Sequence, residues 1–373
     1  MERGLPGEEE KVLNAAAPER IPVSGPPHES VAWVGAGLLE RAAEFLRSPS
    51  GRFLIAATPS ARAAAAAIRR ALGAAVLAEV AVDDAEGAKT LESAARVADA
   101  ALAAGARRDD AFVAVGGGVV TDLVGFAAAI LFRGVAWNAV PTTTAGMADA
   151  AIGGKTGVNH RLGKNLLGAF HPPAAILVDP RALATLPERD FRAGLVEAYK
   201  DAWIADAALA ARVSARLADV LARDEGALLE LLGGSVRVKA AVVAADPKEG
   251  GRRRILNFGH TLGHALEAAS GFGALRHGEA VAWGIAAALE ISRRRAGLAP
   301  SESDAVRRVL AGLGPFPEPE RDARRLRDFL ARDKKTTARG LASVLLDAIG
   351  SARVDESVPL EEWLEAARIM SLS

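Results

Sequence analysis

The first half of the chain alternates short apolar runs with longer alanine-rich stretches of helical period. Apolar runs at 52–58 (RFLIAAT), 75–82, 110–118, 135–143 and 174–180 predict strands, the third of them running into a glycine loop. Between them, 60–73, 90–105 and 121–132 predict helices. Strands separated by helices imply a largely parallel sheet with helices on its faces. After LATLPERD (183–190) amphipathic patterns take over, at 191–223, 226–246, 257–270, 278–295, 302–313 and 320–332. The expected organisation is an N-terminal tail over 1–25, an α/β domain over 26–185 and an all-α domain over 186–373. No repeat of fixed period is present.

Composition narrows the function. The 373 residues include 46 basic and 46 acidic ones, so the formal charge is zero and no general affinity for nucleic acid or an anionic membrane is expected. The longest apolar region, 111–132, is interrupted by Gly116, Gly117, Gly118, Thr121, Asp122 and Gly125, and so does not read as a membrane span. The first residues are acidic, carry prolines and lack an apolar run, unlike a secretory signal. There is no cysteine, which removes disulfides, thiolate nucleophiles and thiolate zinc sites and fits a cytoplasmic protein. Any metal must use His, Asp or Glu.

Four stretches could carry chemistry. VAVGGGVVTDLVGF places three glycines between a strand and a helix, where main-chain amides can face a pyrophosphate, although the spacing is not GxGxxG. A tight structural turn would look the same. DAAIGGKTGVNHRLGKN (149–165) gathers Asp149, Lys155, Asn159, Lys164 and Asn165 around glycines, a set suited to gripping an anion. Glu197 and Lys200 stand at i, i+3 spacing, which by itself reads as a surface ion pair. His260 and His264 share a helical face in NFGHTLGHALE, and His277 follows within 18 residues. With a glutamate these could form a His-His-Glu zinc site with one open position, but spacing does not say which two histidines would bind.

Taken together, these motifs resemble the 3-dehydroquinate synthases, members of the sugar-phosphate cyclases. The matching stretches, in order, are EGAKTLE (86–92), GGGVVTDLVGF (116–126), FRGV (132–135), PTTTAGMADAAIGGKTGVN (141–159), GKNLLGAFHPP (163–173), TLPERD (185–190), GLVEAYK (194–200), NFGHTLGHALE (257–267), HGEAVAWG (277–284) and RDKKTTARG (332–340). The resemblance implies an NAD-binding α/β domain, a helical metal- and substrate-binding domain, an active site between them, and homodimers. It implies conversion of 3-deoxy-D-arabino-heptulosonate 7-phosphate into 3-dehydroquinate and phosphate, within the shikimate route to aromatic amino acids. The implied steps are transient oxidation of a ring alcohol by NAD, phosphate elimination, re-reduction, ring opening and aldol closure. The substrate phosphate would serve as base for its own elimination.

By this resemblance the zinc ligands fall on Glu197, His260 and His277, with cobalt also suited, and His264 becomes a polar partner of the substrate. Substrate contacts fall on Asp149, Lys155, Asn165, Lys200, Lys239, Arg253, Asn257 and His264, with Lys334 or Lys335 from the DKK stretch. Arg133 would reach the phosphate in the neighbouring subunit's site. Glu86 and Lys89 fall at the adenosine end of NAD, Gly117, Gly118 and Asp122 at its pyrophosphate and ribose, and Thr142, Thr143 and Lys164 along the nicotinamide half. The chain departs from the family pattern at Thr58–Pro59, where an Asp is usual, at Thr121 in place of a glycine, at the alanines of MADAA, and after Lys200. Three rival readings are another sugar-phosphate cyclase, such as one closing sedoheptulose 7-phosphate to a valiolone, an NAD-dependent polyol dehydrogenase of the iron or glycerol type, and a non-catalytic NAD-binding relative kept for partner binding.

Overall fold

The computed structural model describes residues 17–24, 29–271, 273–332, 336–337 and 340–372. The first half runs β1 (Glu19–Ser24), β2 (Ser30–Val34), α1 (Ala42–Phe45), β3 (Phe53–Ala57), α2 (Arg62–Leu72), β4 (Val76–Ala81), α3 (Leu91–Ala103), β5 (Ala111–Gly116), α4 (Gly118–Ile130), β6 (Ala136–Pro141), β7 (Lys155–His160), β8 (Gly163–Phe170) and β9 (Ala175–Val178). Seven of these strands form one sheet in the order β1-β2-β9-β6-β5-β3-β4, parallel except for the β1–β2 pair.

Strand alternation explains why helices cover both faces of this sheet. Leu54, Ala56, Phe112 and Ala114 point into the core that holds α3 and α4. Phe53, Ile55, Ala111, Val113 and Val115 point into a second core with Phe45, Ile68 and Leu72 of α1 and α2. Every residue of β5 is therefore buried, as its unbroken apolar run requires. The carboxyl ends of β3, β5 and β6 release Thr58, the glycine loop and Thr142–Thr143 at one edge of the sheet, the place where open α/β sheets bind ligands.

The second half runs α5 (Glu188–Ala205), α6 (Ala207–Ala215), α7 (Leu217–Leu221), α8 (Glu225–Ala245), α9 (His260–Ala269), α10 (His277–Arg295), α11 (Pro300–Leu313), α12 (Ala323–Arg332), β10 (Thr336–Thr337), β11 (Gly340–Ala348), β12 (Ser351–Val358) and α13 (Leu360–Ile369). The parallel sheet followed by a helical region is as expected. Three features lie beyond the expectation. Glu19–Ser24, inside the stretch read as tail, is paired strand. Residues 155–170, read only for their chemistry, form the β7–β8 hairpin. The region read as all-α also carries the β11–β12 hairpin, and the pattern over 191–223 is broken into three helices. Among the described residues, no helix is long and apolar enough to cross a membrane.

Helices α5 and α10 are buried almost all round, so each must sit between neighbours. Gly278, at the start of α10, lets it approach α5 closely: a Cβ there would lie 1.8 Å from the Ala193 carbonyl oxygen. That contact brings the first turn of α10 against the middle of α5.

Candidate active site

Three segments deliver a carboxylate and two imidazoles to one point. Glu197 lies in the buried middle of α5, 1% exposed. His260 and His277 are the first residues of α9 and α10. Glu197 Oε1 is 3.7 Å from His260 Nε2 and 3.5 Å from His277 Nε2. Ligand atoms about 2.0–2.2 Å from a tetrahedral ion stand roughly 3.3–3.5 Å apart, so the spacing fits a shared ion. Glu197 Oε1 is buried without a hydrogen-bond partner, although its other oxygen accepts from Lys200 Nζ at 2.6 Å. An orphaned carboxylate oxygen of this kind is what a metal satisfies.

The far sides of both rings are held. His277 Nδ1 lies 2.9 Å from Glu267 Oε2, and His260 Nδ1 lies 3.1 Å from the Phe258 carbonyl oxygen. Two acceptors at Nδ1 fix the tautomer that leaves each Nε2 lone pair facing Glu197. His264 is exposed and lies edge-on to His260, with ring centroids 5.3 Å apart; it stacks on His277 at 5.8 Å. One nitrogen from each of the three histidines can be chosen so that all lie within 4.8 Å, so a three-histidine set is also geometrically open. Burial lowers the His260 pKa, reinforced by Lys200 and the other two imidazoles. For His277, burial pulls the same way, but the Glu267 and Glu197 carboxylates outweigh it and raise the pKa.

Around this point sits a set of buried charges. Asp149 lies in a π-helical turn (Gly146–Ala150), a distortion frequent at functional sites. Lys239 Nζ from α8 donates to both its carboxylate and its carbonyl. Burial pushes Asp149 up, yet Lys239 and Lys200 overcome it and hold the carboxyl below its usual range. Burial lowers Lys239, with Asp149 opposing. Lys200 is 1% exposed; burial would lower its pKa, but Glu197, Asp201 and Asp149 raise it instead. The surface ion pair that spacing alone suggested for Glu197 and Lys200 is thus a buried one.

Arg253 is equally enclosed, donating to the carbonyls of Pro247 at 2.8 Å and Gly153 at 3.1 Å. Gly153 has φ +100°, and a Cβ there would meet Arg253 Nη2 at 2.4 Å, so the Gly-Gly pair before Lys155 makes room for the guanidinium. Lys155 Nζ pairs with Glu249, which also accepts from Asn257 Nδ2 at 3.1 Å.

A second polar cluster borders the glycine loop. Lys89, 3% exposed, donates to Asp122 and, at 2.5 Å, to Asn165 Oδ1. Asn159 Nδ2 donates to Glu86 Oε1 at 2.7 Å and Asn159 Oδ1 accepts from Asn165 N at 3.0 Å. Gly117 and Gly118 open α4, and Thr143 Oγ1 accepts from Gly146 N at 3.0 Å. A cleft of about 350 Å³ opens beside them, bordered by Ser60, Thr142, Thr143 and Pro187. Lys164 Nζ lies 3.4 Å from Glu267, which links this side to the histidines.

Arg133 joins neither cluster. It is exposed on the turn after α4, with φ +65°, and makes no ion pair with any described residue. Lys334 and Lys335 lie outside the described residues. Sequence reasoning missed Glu249, Glu267 and Asp201. Glu267 had a signal, being three residues after His264 on one helix; Glu249 and Asp201 had none beyond their charge.

Comparison with known proteins agrees with this geometry. The family described as 3-dehydroquinate synthase N-terminal matches residues 79–193, and 3-dehydroquinate synthase C-terminal matches 194–336. The 3-dehydroquinate synthase of Acidithiobacillus ferrooxidans is 44% identical over 275 residues, 74% of this chain and 76% of that protein. The solved structure of 2-epi-5-epi-valiolone synthase from Streptomyces hygroscopicus subsp. jinggangensis, with NAD+ and Zn2+ bound, superposes with a TM-score of 0.81 at 32% identity, covering 93% of this chain and 97% of that one. That of 2-deoxy-scyllo-inosose synthase, complexed with carbaglucose-6-phosphate, NAD+ and Co2+, gives 0.82 at 25% identity, covering 95% and 100%. With the matched segments spanning both the glycine loop and the histidine helices, the chain belongs to the 3-dehydroquinate synthase family.

Proposed function

We propose that this chain converts 3-deoxy-D-arabino-heptulosonate 7-phosphate into 3-dehydroquinate and phosphate, as a carbon–oxygen lyase of the shikimate route in the cytoplasm. The observation that carries the reading is the orphaned Glu197 Oε1 facing two histidine Nε2 atoms, next to the buried cations Lys200, Lys239 and Arg253. A substrate bearing both a carboxylate and a phosphate needs that many cations.

Glu197, His260 and His277 would hold zinc or cobalt. Lys200 occupies the other Glu197 oxygen and so aims Oε1 at the ion. His264, exposed beside them, would meet substrate. NAD would lie along the glycine loop, with Gly117 and Gly118 at the pyrophosphate, Asp122, Lys89 and Glu86 on the ribose and adenosine side, and Thr142, Thr143 and Lys164 towards the nicotinamide; Thr142 and Thr143 also border the neighbouring cleft. When bound, NAD supplies a reversible hydride acceptor and the ion a Lewis acid. Lys155, Lys239, Arg253 and Asn257 would orient the anionic groups, and Asp149 fixes the Lys239 ammonium. Burial of Glu197, Lys200 and Arg253 keeps water away, which strengthens each of these interactions. The exposed Leu166 and Phe170 on one face of β8, with Leu162 in the adjoining turn, offer apolar surface for a second copy in a homodimer, in which Arg133 would reach the neighbouring site.

The test is phosphate release from the heptulosonate phosphate with catalytic NAD and zinc, while absorbance follows NADH. Stoichiometric phosphate without net NADH is expected. Net NADH without phosphate would make the chain a dehydrogenase, and preference for sedoheptulose 7-phosphate would make it a valiolone-forming cyclase.

A further inference from the structure

The cationic subsite next to the histidines is filled from within the chain. Lys155 opens β7, while Arg253 and Asn257 lie in the turn between α8 and α9. The carboxylate that ties these segments together is Glu249. Its Oε2 takes the Lys155 ammonium and its Oε1 accepts from Asn257 Nδ2 at 3.1 Å. Both oxygens are thus used as the two oxygens of a bound ligand carboxylate would be. The buried Arg253 guanidinium has main-chain carbonyls as its hydrogen-bond acceptors, and Glu249 is the foremost acid sustaining its charge against burial.

The loop that carries Glu249 is itself anchored. Asp246 accepts from Gly250 N at 2.9 Å, Gly251 N at 2.7 Å and Arg253 N at 3.0 Å. Glu249 stands in this loop with φ +59°, a left-handed conformation that a glutamate adopts only where its surroundings hold it. With the loop stapled, the part free to leave is the side chain, which is 25% exposed and has solvent on one side.

We propose that Glu249 is a displaceable internal carboxylate: it occupies the subsite that an anionic group of the substrate takes, and substrate binding turns it out towards solvent. The proposal rests on the assignment of Lys155, Arg253 and Asn257 to substrate binding made above. An intramolecular carboxylate competes at high effective concentration, so it keeps Lys155 and the buried Arg253 compensated in the free enzyme and screens out weakly held small anions. The substrate, gripped at several other points, can displace it.

The experiment compares the holoenzyme with Glu249→Gln and Glu249→Asp. It measures kcat and KM for the heptulosonate phosphate and the inhibition constant of inorganic phosphate. Gln removes the competing charge, whereas Asp keeps the charge but is too short to reach both Lys155 and Asn257. KM should fall by about threefold to tenfold in both variants, with kcat much less affected. A matching fall in the phosphate inhibition constant would place the substrate phosphate in this subsite; a fall in KM alone would place its carboxylate there. If Asp behaves like the parent while Gln binds tighter, only the overall charge matters and the proposal is wrong. If kcat collapses in both with KM unchanged, Glu249 takes part in the chemistry and the proposal is equally wrong. A parent enzyme that releases no phosphate from this substrate would defeat the functional reading instead, so the two failures are separable.

Discussion

The two polar clusters of this chain are satisfied in opposite ways. On the glycine-loop side, Lys89 already holds Asp122 and Asn165, and Asn159 holds Glu86, so each side chain has a partner from another element. On the histidine side, Glu197 Oε1 is buried with no hydrogen-bond partner, while both neighbouring rings have their other nitrogens occupied. The first arrangement holds without a ligand, because its polar side chains are paired within the cluster. The second leaves a carboxylate oxygen and two ring nitrogens aimed at one point, an arrangement that a metal cation would satisfy. Removing a group should therefore cost function most on the histidine side and least on the glycine-loop side.

His277→Ala should break the comparison most severely. It removes one of the three converging atoms, and turnover should fall on the order of a thousandfold together with metal content. His264→Ala should instead retain metal and lose about a hundredfold in rate, as expected for a group that meets substrate. Metal analysis of the two purified variants separates them, and a His277→Ala enzyme with full metal would overturn the ligand assignment. Glu267→Gln keeps the shape but weakens the hold on His277 Nδ1; metal affinity should drop about 10-fold to 100-fold, as read by competition with a chelator.

The smallest effect on function belongs to the other cluster. Burial pushes the Asp122 carboxyl up to about 6 against the pull of Lys89. That is above the value of about 3.9 in an unfolded chain, so the folded form binds the extra proton. The stability Asp122 confers is then fully present below about pH 4 and is lost as pH rises through about 6. Asp122→Asn should remove up to about 3 kcal/mol of this pH dependence in denaturant titrations. An unaltered slope would show that Lys89 keeps the carboxylate ionised throughout.

The parallel sheet was legible because its strands are continuous apolar runs, and β3, β5 and β6 fall within a residue or two of their expected places. The β11–β12 hairpin was not, because LASVLL in a chain that is half apolar reads as helix or strand alike. The β7–β8 hairpin was hidden for a different reason: its lysines and asparagines drew attention to chemistry rather than pairing. In the site, His260, His264 and His277 stood out by rarity, and the family pattern supplied Glu197. Spacing alone misjudged the Glu197–Lys200 pair, since a buried and an exposed i, i+3 pair share one sequence signature. Glu249 could not be found at all, because its partners Lys155 and Asn257 are assembled only by the fold.

The central claim is that Glu197 Oε1 is orphaned because it is a metal ligand. Metal quantification of the purified parent beside Glu197→Gln tests this directly, since Gln keeps the volume and a hydrogen-bonding oxygen for Lys200. One divalent ion per chain in the parent and a loss of it in the variant is the predicted result. A variant that retains its metal at the parent's level would show that the three histidines suffice, and that the converging carboxylate serves only Lys200.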